Sequence, residues 1–180
     1  VVVLPPGHDV AIANIVPSKT VVGLGLTMRI WVTAKNNGGY GETFDVSVYY
    51  NSTNLIAKQT LTLASNTFAV VTFRWNTTGM AKRHYLLSAV ASSVPGETNL
   101  TNNVCIDGVV TVALIGDITG STPGTPDGKV DIRDLAIIAR AYGSIPTSSN
   151  WNPNADISED DKVDIRDLAV AAKHYGQIDP

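Results

Sequence analysis

Val130-Asp131-Ile132-Arg133-Asp134-Leu135-Ala136 recurs as Val163-Asp164-Ile165-Arg166-Asp167-Leu168-Ala169. Extended to Gly143 and Gly176, the two copies share ten of fourteen positions at an offset of 33 residues. An internal repeat of this kind sets the organisation of a chain, because each copy is one supersecondary unit. Each copy runs from an Asp into an apolar pattern and ends on Tyr-Gly. Leu135, Ile138, Ala139 and Tyr142 fall at helical spacing, as do Leu168, Ala171, Ala172 and Tyr175. Gly143 and Gly176 stand where helices commonly stop. The pattern predicts two short helices packed antiparallel, burying Leu135, Ile138 and Leu168, and Tyr142 with Tyr175. Pro146 and Pro153 mark the link between the copies, and Trp151 is expected to pack between them.

Acids crowd the approach to each helix. In the second copy, a twelve-residue loop numbered from Asp156 places side-chain oxygens at positions 1, 3, 5, 9 and 12: Asp156, Ser158, Asp160, Asp164 and Asp167. Lys162, at position 7, would offer its backbone carbonyl. That spacing wraps a chain once around a cation with metal–oxygen distances of about 2.4 Å. No Cys or His joins the set, which favours calcium over zinc. The first copy ends the same way, with Asp127, Lys129 (carbonyl), Asp131 and Asp134, and Gly128 at the turn position. Its start is displaced, because Asp117 lies ten residues before Asp127 where four are expected. A six-residue expansion within Gly120–Pro126 therefore interrupts the loop, and Asp117 and Thr119 supply ligands if that stretch bulges outward. Two calcium sites are expected. The plainer alternative is that Asp131 and Asp164 simply cap helices; capping explains one Asp per helix but not four in each repeat.

These loops resemble the dockerin type of calcium module, in which Asp replaces the final Glu of an EF-hand loop and the preceding helix is missing. One departure is Asp161, where the turn position normally holds Gly; Asp tolerates the left-handed conformation better than most residues. The resemblance implies that Ile132, Arg133, Ile165 and Arg166 face a partner, a cohesin-like domain. Ile-Arg departs from the family's usual pairs there, so the identity of the partner stays open, and solvated arginines with partly packed isoleucines are an equal alternative.

Ahead of the repeats the pattern is β. Leu26–Ala34 alternates apolar and polar residues in its first half, and similar short runs cover Val10–Ile15, Phe44–Tyr50, Leu55–Leu63, Phe68–Trp75, Tyr85–Ala91 and Val104–Ala113. Turn formers such as Asn36-Asn37-Gly38-Gly39 and Pro95-Gly96-Glu97 separate them. Seven short strands in this span read as an immunoglobulin-like sandwich. Without a Cys–Trp–Cys pattern it is not of the antibody type. The fold class expected for the chain is thus mainly β with a small α module, residues 1–114 forming the sandwich and 115–180 the calcium-binding domain. The first part resembles the cell-adhesion-related sandwich called CARDB. The resemblance is carried by His8-Asp9-Val10-Ala11-Ile12, Val16-Pro17-Ser18, Val32 to Gly38, Thr72 to Thr77, and Val94-Pro95-Gly96-Glu97-Thr98-Asn99 with Asn102-Asn103. It implies a binding or spacer module on a secreted protein.

Composition narrows function further. Net charge is −3, split as +2 up to Leu114 (seven Lys/Arg, five Asp/Glu) and −5 from Ile115 (six and eleven). No basic stripe exists to neutralise phosphates, so no nucleic-acid partner is expected. No apolar run approaches the roughly 20 residues of a membrane helix. Val1-Val2-Val3-Leu4 is too short for the apolar region of a signal peptide and nothing basic precedes it, so the chain reads as a mature or trimmed form. Cys105 reads as a small buried strand residue. His8, His84 and His174 lack ligand spacing, and no phosphate loop or nucleophile elbow is present; the chain is not expected to be an enzyme. Asn51, Asn76 and Asn99 begin sequons at predicted turns or strand ends, where a secreted chain accommodates glycans.

The function expected is a calcium-stabilised structural or adhesion subunit, secreted or at the cell surface, assembling with other copies of itself into a filament or layer. Its unlike charged ends favour head-to-tail contact, and Val1, Val2, Val3 and Leu4 form an apolar stub able to add to a neighbour's sheet edge. The alternative is a docking module that anchors a secreted complex through a cohesin-like partner.

Overall fold

The computed structural model describes residues 7–179. Val1, Val2, Val3 and Leu4, expected to act as an association strand, lie outside the described residues. Eight strands precede two helices: β1 Val10–Pro17, β2 Val21–Gly23, β3 Thr27–Asn36, β4 Glu42–Tyr50, β5 Asn54–Leu63, β6 Thr67–Asn76, β7 Arg83–Ala91, β8 Val104–Ala113, α1 Ile132–Ala141 and α2 Ile165–Lys173. They form a three-stranded sheet, β1-β3-β6, and a five-stranded sheet, β2-β8-β7-β4-β5. Seven strands lie where alternation predicts them. The eighth, β2, is only three residues long and pairs in parallel with β8 through Val21–Thr111 to Gly23–Ala113; so short a run has no period to read.

The alternation works as expected. Met28, Ile30, Val32 and Ala34 of β3 are wholly buried, and Thr27, Arg29, Trp31 and Thr33, which alternate with them, are half-buried. Val46 and Val48 of β4, Leu87 and Ala89 of β7, and Val71, Phe73 and Trp75 of β6 supply further core. Trp75 stacks on Tyr50 with ring centroids 5.8 Å apart, an arrangement that adds to simple burial. Bulges at Ile12/Asn14 of β1 and at Val48/Tyr49 of the β4–β5 pair shift the register locally. Cys105 is half-buried rather than enclosed.

The chain forms two compact units. Of the described residues, the first comprises 7–17, Arg29–Trp75 and Leu86–Gly108; the second comprises Ser18–Met28, Asn76–Tyr85 and 109–179. In the second unit each helix begins at an aspartate cap, Asp131 or Asp164, with Asp134 or Asp167 bonding back to complete a capping box. The repeats then exchange their ends. Gly143 N–H donates to Val163 O (2.8 Å) and Val163 N–H to Ser144 O (3.0 Å); Gly176 N–H donates to Val130 O (2.8 Å) and Val130 N–H to Gln177 O (2.9 Å). The segment leaving each helix thus pairs with the loop that enters the other, so the copies interlock.

Their core joins Ile118, Ile138, Ala141, Ala155, Ile157, Val163 and Ala171, with Leu135, Leu168 and Trp151 partly buried against it. The expected burial of Tyr142 and Tyr175 is not found: they are 51% and 54% exposed. Tyr142 is the cap residue after α1, with φ −54° and ψ 134°, and Tyr175 lies beyond the cap of α2. Both side chains have left the helical path that would have carried them inward. Replacing the enclosed Ile138 with alanine is expected to cost about 2–5 kcal/mol. Tyr142→Ala should stay within about 0.5 kcal/mol. Urea denaturation of the full chain checks both, and similar losses at the two sites would show that the assigned core is wrong.

Candidate metal centres

The two acidic loops are built on one plan. In the second, Asp156 is buried and its two oxygens accept from the N–H groups of Asp160 (3.2 Å) and Asp161 (3.0 Å). Asp167, also buried, accepts from Ser158 N–H (2.9 Å) and Asp164 N–H (2.8 Å). In the first, Asp117 accepts from Asp127 N–H (3.3 Å) and Gly128 N–H (2.9 Å). Asp134 accepts from Ile118 and Thr119 N–H (2.9 and 3.0 Å) and from Asp131 N–H (2.8 Å). Asp117 therefore does for its loop what Asp156 does for the other, despite the six extra residues between it and Asp127.

The expansion leaves the loop through a narrow neck. Ser121 to Thr125 are exposed, and Thr119 Oγ1 accepts from Gly124 N–H at 3.0 Å. A side chain at Gly120 would place its Cβ 2.6 Å from the Cβ of Asp127. Only glycine lets the two walls of the neck approach so closely. The turn position is left-handed in both loops, at φ 81° for Gly128 and 64° for Asp161. An L-residue carries a steric cost there that glycine does not. Asp161→Gly is accordingly expected to stabilise the second loop by up to about 1 kcal/mol, read as a rise in the thermal midpoint; a fall would mean that contacts of the Asp161 side chain outweigh the backbone strain.

Burial pushes the Asp117 carboxyl up to about 6, and burial likewise raises Asp134 and Asp156 despite their backbone N–H bonds. The outer acids behave oppositely. The Arg133 guanidinium holds Asp131 below the usual carboxylate range, and Arg166 does the same for Asp164. Arg133 Nη2 lies 2.7 Å from Asp127 and 2.6 Å from Asp131. Arg166 Nη2 meets Asp160 and lies 2.7 Å from Asp164. Each arginine, expected to face a partner, thus bridges positions 5 and 9 of its own loop. Ile132 and Ile165 beside them are 65% and 61% exposed.

Ser158 is exposed and Thr119 buried. Lys162 N–H donates to Asp160 Oδ1 (3.2 Å), and Lys129 pairs with Ile178 in an isolated antiparallel bridge. Among the described residues no three His, Cys, Asp or Glu side chains are drawn together as a metal-holding group; the acids stand spread around each loop, tied to backbone N–H groups and arginine.

The second loop has an anchor that its own sequence does not announce. Lys19 lies 3.3 Å from Glu159, the two side chains being 4% and 8% exposed, and its Nζ also donates to the backbone carbonyl of Asp156. Ser18 Oγ donates to Glu159 at 2.5 Å. Asn154 Oδ1 accepts from the N–H groups of Thr20 and Val21, both at 3.0 Å. No local pattern links residues so far apart along the chain.

The chain is thus a β-sandwich followed by a duplicated loop–helix module. The dockerin type I domain, as a sequence family, matches residues 125–174. The CARDB domain of the PF1109 protein of Pyrococcus furiosus, crystallised in complex with di-metal ions, is 30% identical over 60% of this chain and 96% of its own, with a TM-score of 0.51. The solution structure of that domain is 31% identical over 61% and 97%, at a TM-score of 0.48. A domain of a putative cell surface protein of Methanosarcina acetivorans is 22% identical over 61% and 93%, at 0.45. No curated protein matches. The chain belongs to the CARDB family through its sandwich and carries a dockerin type I module C-terminal to it. The matched dockerin span begins after Asp117 and Thr119, so the family match does not cover the start of the first loop.

Proposed function

We propose that the chain is a non-catalytic, calcium-dependent docking subunit of a secreted or cell-surface assembly, binding a cohesin-like domain through Ile132, Arg133, Ile165 and Arg166. The observation that carries this is the doubled exposure of Ile132 and Ile165 at equivalent positions, each beside an arginine at the start of a helix. Large apolar side chains held outward in duplicate are the composition of an interface anchor. In this reading Asp117, Thr119, Asp127, Asp131, Asp134 and the Lys129 carbonyl would hold one calcium. Asp156, Ser158, Asp160, Asp164, Asp167 and the Lys162 carbonyl would hold a second. The donor set fits: it is all oxygen, and burial disfavours the ionised form of Asp117, Asp134 and Asp156, which a hard cation reverses.

Purified type I cohesin domains, titrated against the full chain in calcium and in chelator, test this. Binding is expected only with calcium. Either Ile132→Asp or Ile165→Asp alone should retain it through the other face, and the double variant should lose it. Undiminished binding by the double variant, or none by the parent to any cohesin-type domain, overturns the reading.

Self-assembly is the second reading, supported by the +2 and −5 charge split and by β5 and β6 standing at sheet edges with Leu55, Phe68 and Val70 exposed. In it Val1, Val2, Val3 and Leu4 add to such an edge of another copy. Light scattering of the full chain and of a chain lacking those four residues decides: equal size at matched concentration removes this reading. Asn51 in a turn, Asn76 at a strand end and Asn99 in a loop are exposed and are proposed glycan acceptors, checked by mass spectrometry of the chain from its native host.

A further inference from the structure

The docking reading leaves unused a cleft of about 220 Å³ in the second unit, where the linker between the repeats meets the last turn of α1. The linker is pinned there by its own bonds. Asn150 Nδ2 donates to the Arg140 carbonyl at 3.1 Å, one of the groups that a helix end leaves without an internal partner. Ser148 N–H donates to Ile145 O (2.8 Å), and the backbone N–H of Trp151 to Ser148 O (3.1 Å); Ile145 N–H returns a bond to Ser148 Oγ (3.1 Å). Asn152 caps the short 3₁₀ turn Pro153–Ala155, its Oδ1 accepting from Asn154 N–H at 3.1 Å. Trp151 is thereby held half-buried. It packs against the apolar core of the repeats and, with Ile137, also walls the cleft.

Polar groups line the same cleft with their bonding capacity unspent. Among the described residues the Arg140 guanidinium, the Ser149 hydroxyl and the Trp151 indole N–H make no hydrogen bond or ion pair. The side-chain oxygen of Asn150 and the side-chain nitrogen of Asn152 are likewise spare. Arg140 differs in this from the other two arginines beyond Leu114, since Arg133 and Arg166 are each held by two acids of their own loop. The cleft is smaller than the roughly 300–1,000 Å³ that takes a drug-sized molecule, so its ligand is about one ring in size. That ring needs an apolar face for the indole and both donors and acceptors at its edge. It also needs a carboxylate, the group that meets a guanidinium through two parallel bonds. An apolar peptide side chain covers the indole but leaves the polar groups unpaired. An acidic side chain meets Arg140 but leaves the indole face bare. A pyranose ring bearing a carboxylate meets all three demands.

We propose that this cleft binds a uronic acid residue of an acidic polysaccharide. The C–H face of the sugar lies on Trp151, its carboxylate meets Arg140, and its hydroxyls bond Ser149, Asn150 and Asn152. The site shares no residue with Ile132, Ile165 or the two acidic loops, so it is independent of the docking reading. It gives the chain a glycan-directed attachment besides its protein-directed one.

Chemical-shift mapping of the isotope-labelled full chain in calcium, titrated with trigalacturonate, tests it. The indole N–H resonance of Trp151, assigned by its loss in Trp151→Phe, should move with a dissociation constant on the order of 1 mM. Neutral cellotriose should bind about tenfold more weakly, and Arg140→Gln should lower the affinity for trigalacturonate by about the same factor, the effect of one charged hydrogen-bonded contact. Arg140 and Ser149 are both exposed, so Ser149→Ala serves as a second variant and should weaken binding by a smaller factor. An indole resonance that does not move at roughly 20 mM trigalacturonate overturns the proposal. So does equal affinity in the parent and Arg140→Gln, or tighter binding of triglutamate, which would make the cleft a peptide site. None of these outcomes involves a cohesin domain, so failure here leaves the docking reading standing.

Discussion

Lys19→Ala is expected to destabilise the chain by about 3–5 kcal/mol, the range for removing one partner of a buried ion pair. The Lys19 and Glu159 side chains are 4% and 8% exposed. Without the ammonium, Glu159 loses a buried charged partner, and the Asp156 carbonyl loses a charged donor. Removing both charges tells a different story. The double variant Lys19→Met, Glu159→Leu should recover most of the loss, because apolar groups of similar volume remove the desolvation cost along with the attraction. Urea denaturation of the two single variants and the double variant measures the coupling. A loss below about 0.5 kcal/mol for Lys19→Ala, the usual range for surface changes, would show the pair to be solvated. The same contacts predict that a fragment starting at residue 115 folds poorly. It lacks Lys19 for Glu159, Thr20 and Val21 for Asn154, and Lys82 for Asp179.

Local order in this chain was open to reading wherever the signal was local. The repeat places α1 and α2 because Asp131 and Asp164 both cap and start them, and alternation places β3 because one face of it is wholly buried. The acidic spacing was legible even through the expansion, since Asp117 needs only a pair of N–H groups from Asp127 and Gly128 and the neck at Gly120 returns the chain to them. Tyr142 departs from the expected burial because helical periodicity does not announce that the helix ends one residue before it. The three residues of β2 were invisible because parallel pairing with β8 is decided by a strand about 90 positions away. The role of Lys19 is illegible for the same reason: an isolated lysine before a short strand has no pattern that points to Glu159.

The largest expected effect is that of calcium on stability. A ligand that binds only the folded chain adds about 4 kcal/mol when its concentration is a thousand times its dissociation constant. Two loops in that regime would therefore contribute roughly 8 kcal/mol, comparable with the whole stability of an ordinary domain. The source of the effect is electrostatic. Eleven acids against six bases beyond Leu114 leave −5, and two calcium ions reduce this to −1. Thermal denaturation of the full chain should show a midpoint that rises with the logarithm of calcium concentration and collapses in chelator. The variants that dissect it are chosen at position 5. Asp127 meets only Arg133 through its side chain, and Asp160 adds to Arg166 a single 3.2 Å bond from Lys162 N–H, whereas Asp117, Asp134, Asp156 and Asp167 hold the loop backbones together. Asp127→Ala should therefore leave the stability in chelator within about 0.5 kcal/mol while removing about half of the gain from calcium, and Asp160→Ala should remove the other half. A midpoint indifferent to calcium refutes both loop sites. A gain lost in full with either variant alone shows instead that the two loops bind as one cooperative unit, as the exchange of backbone pairing between Val130, Val163 and the ends of the opposite helices would allow.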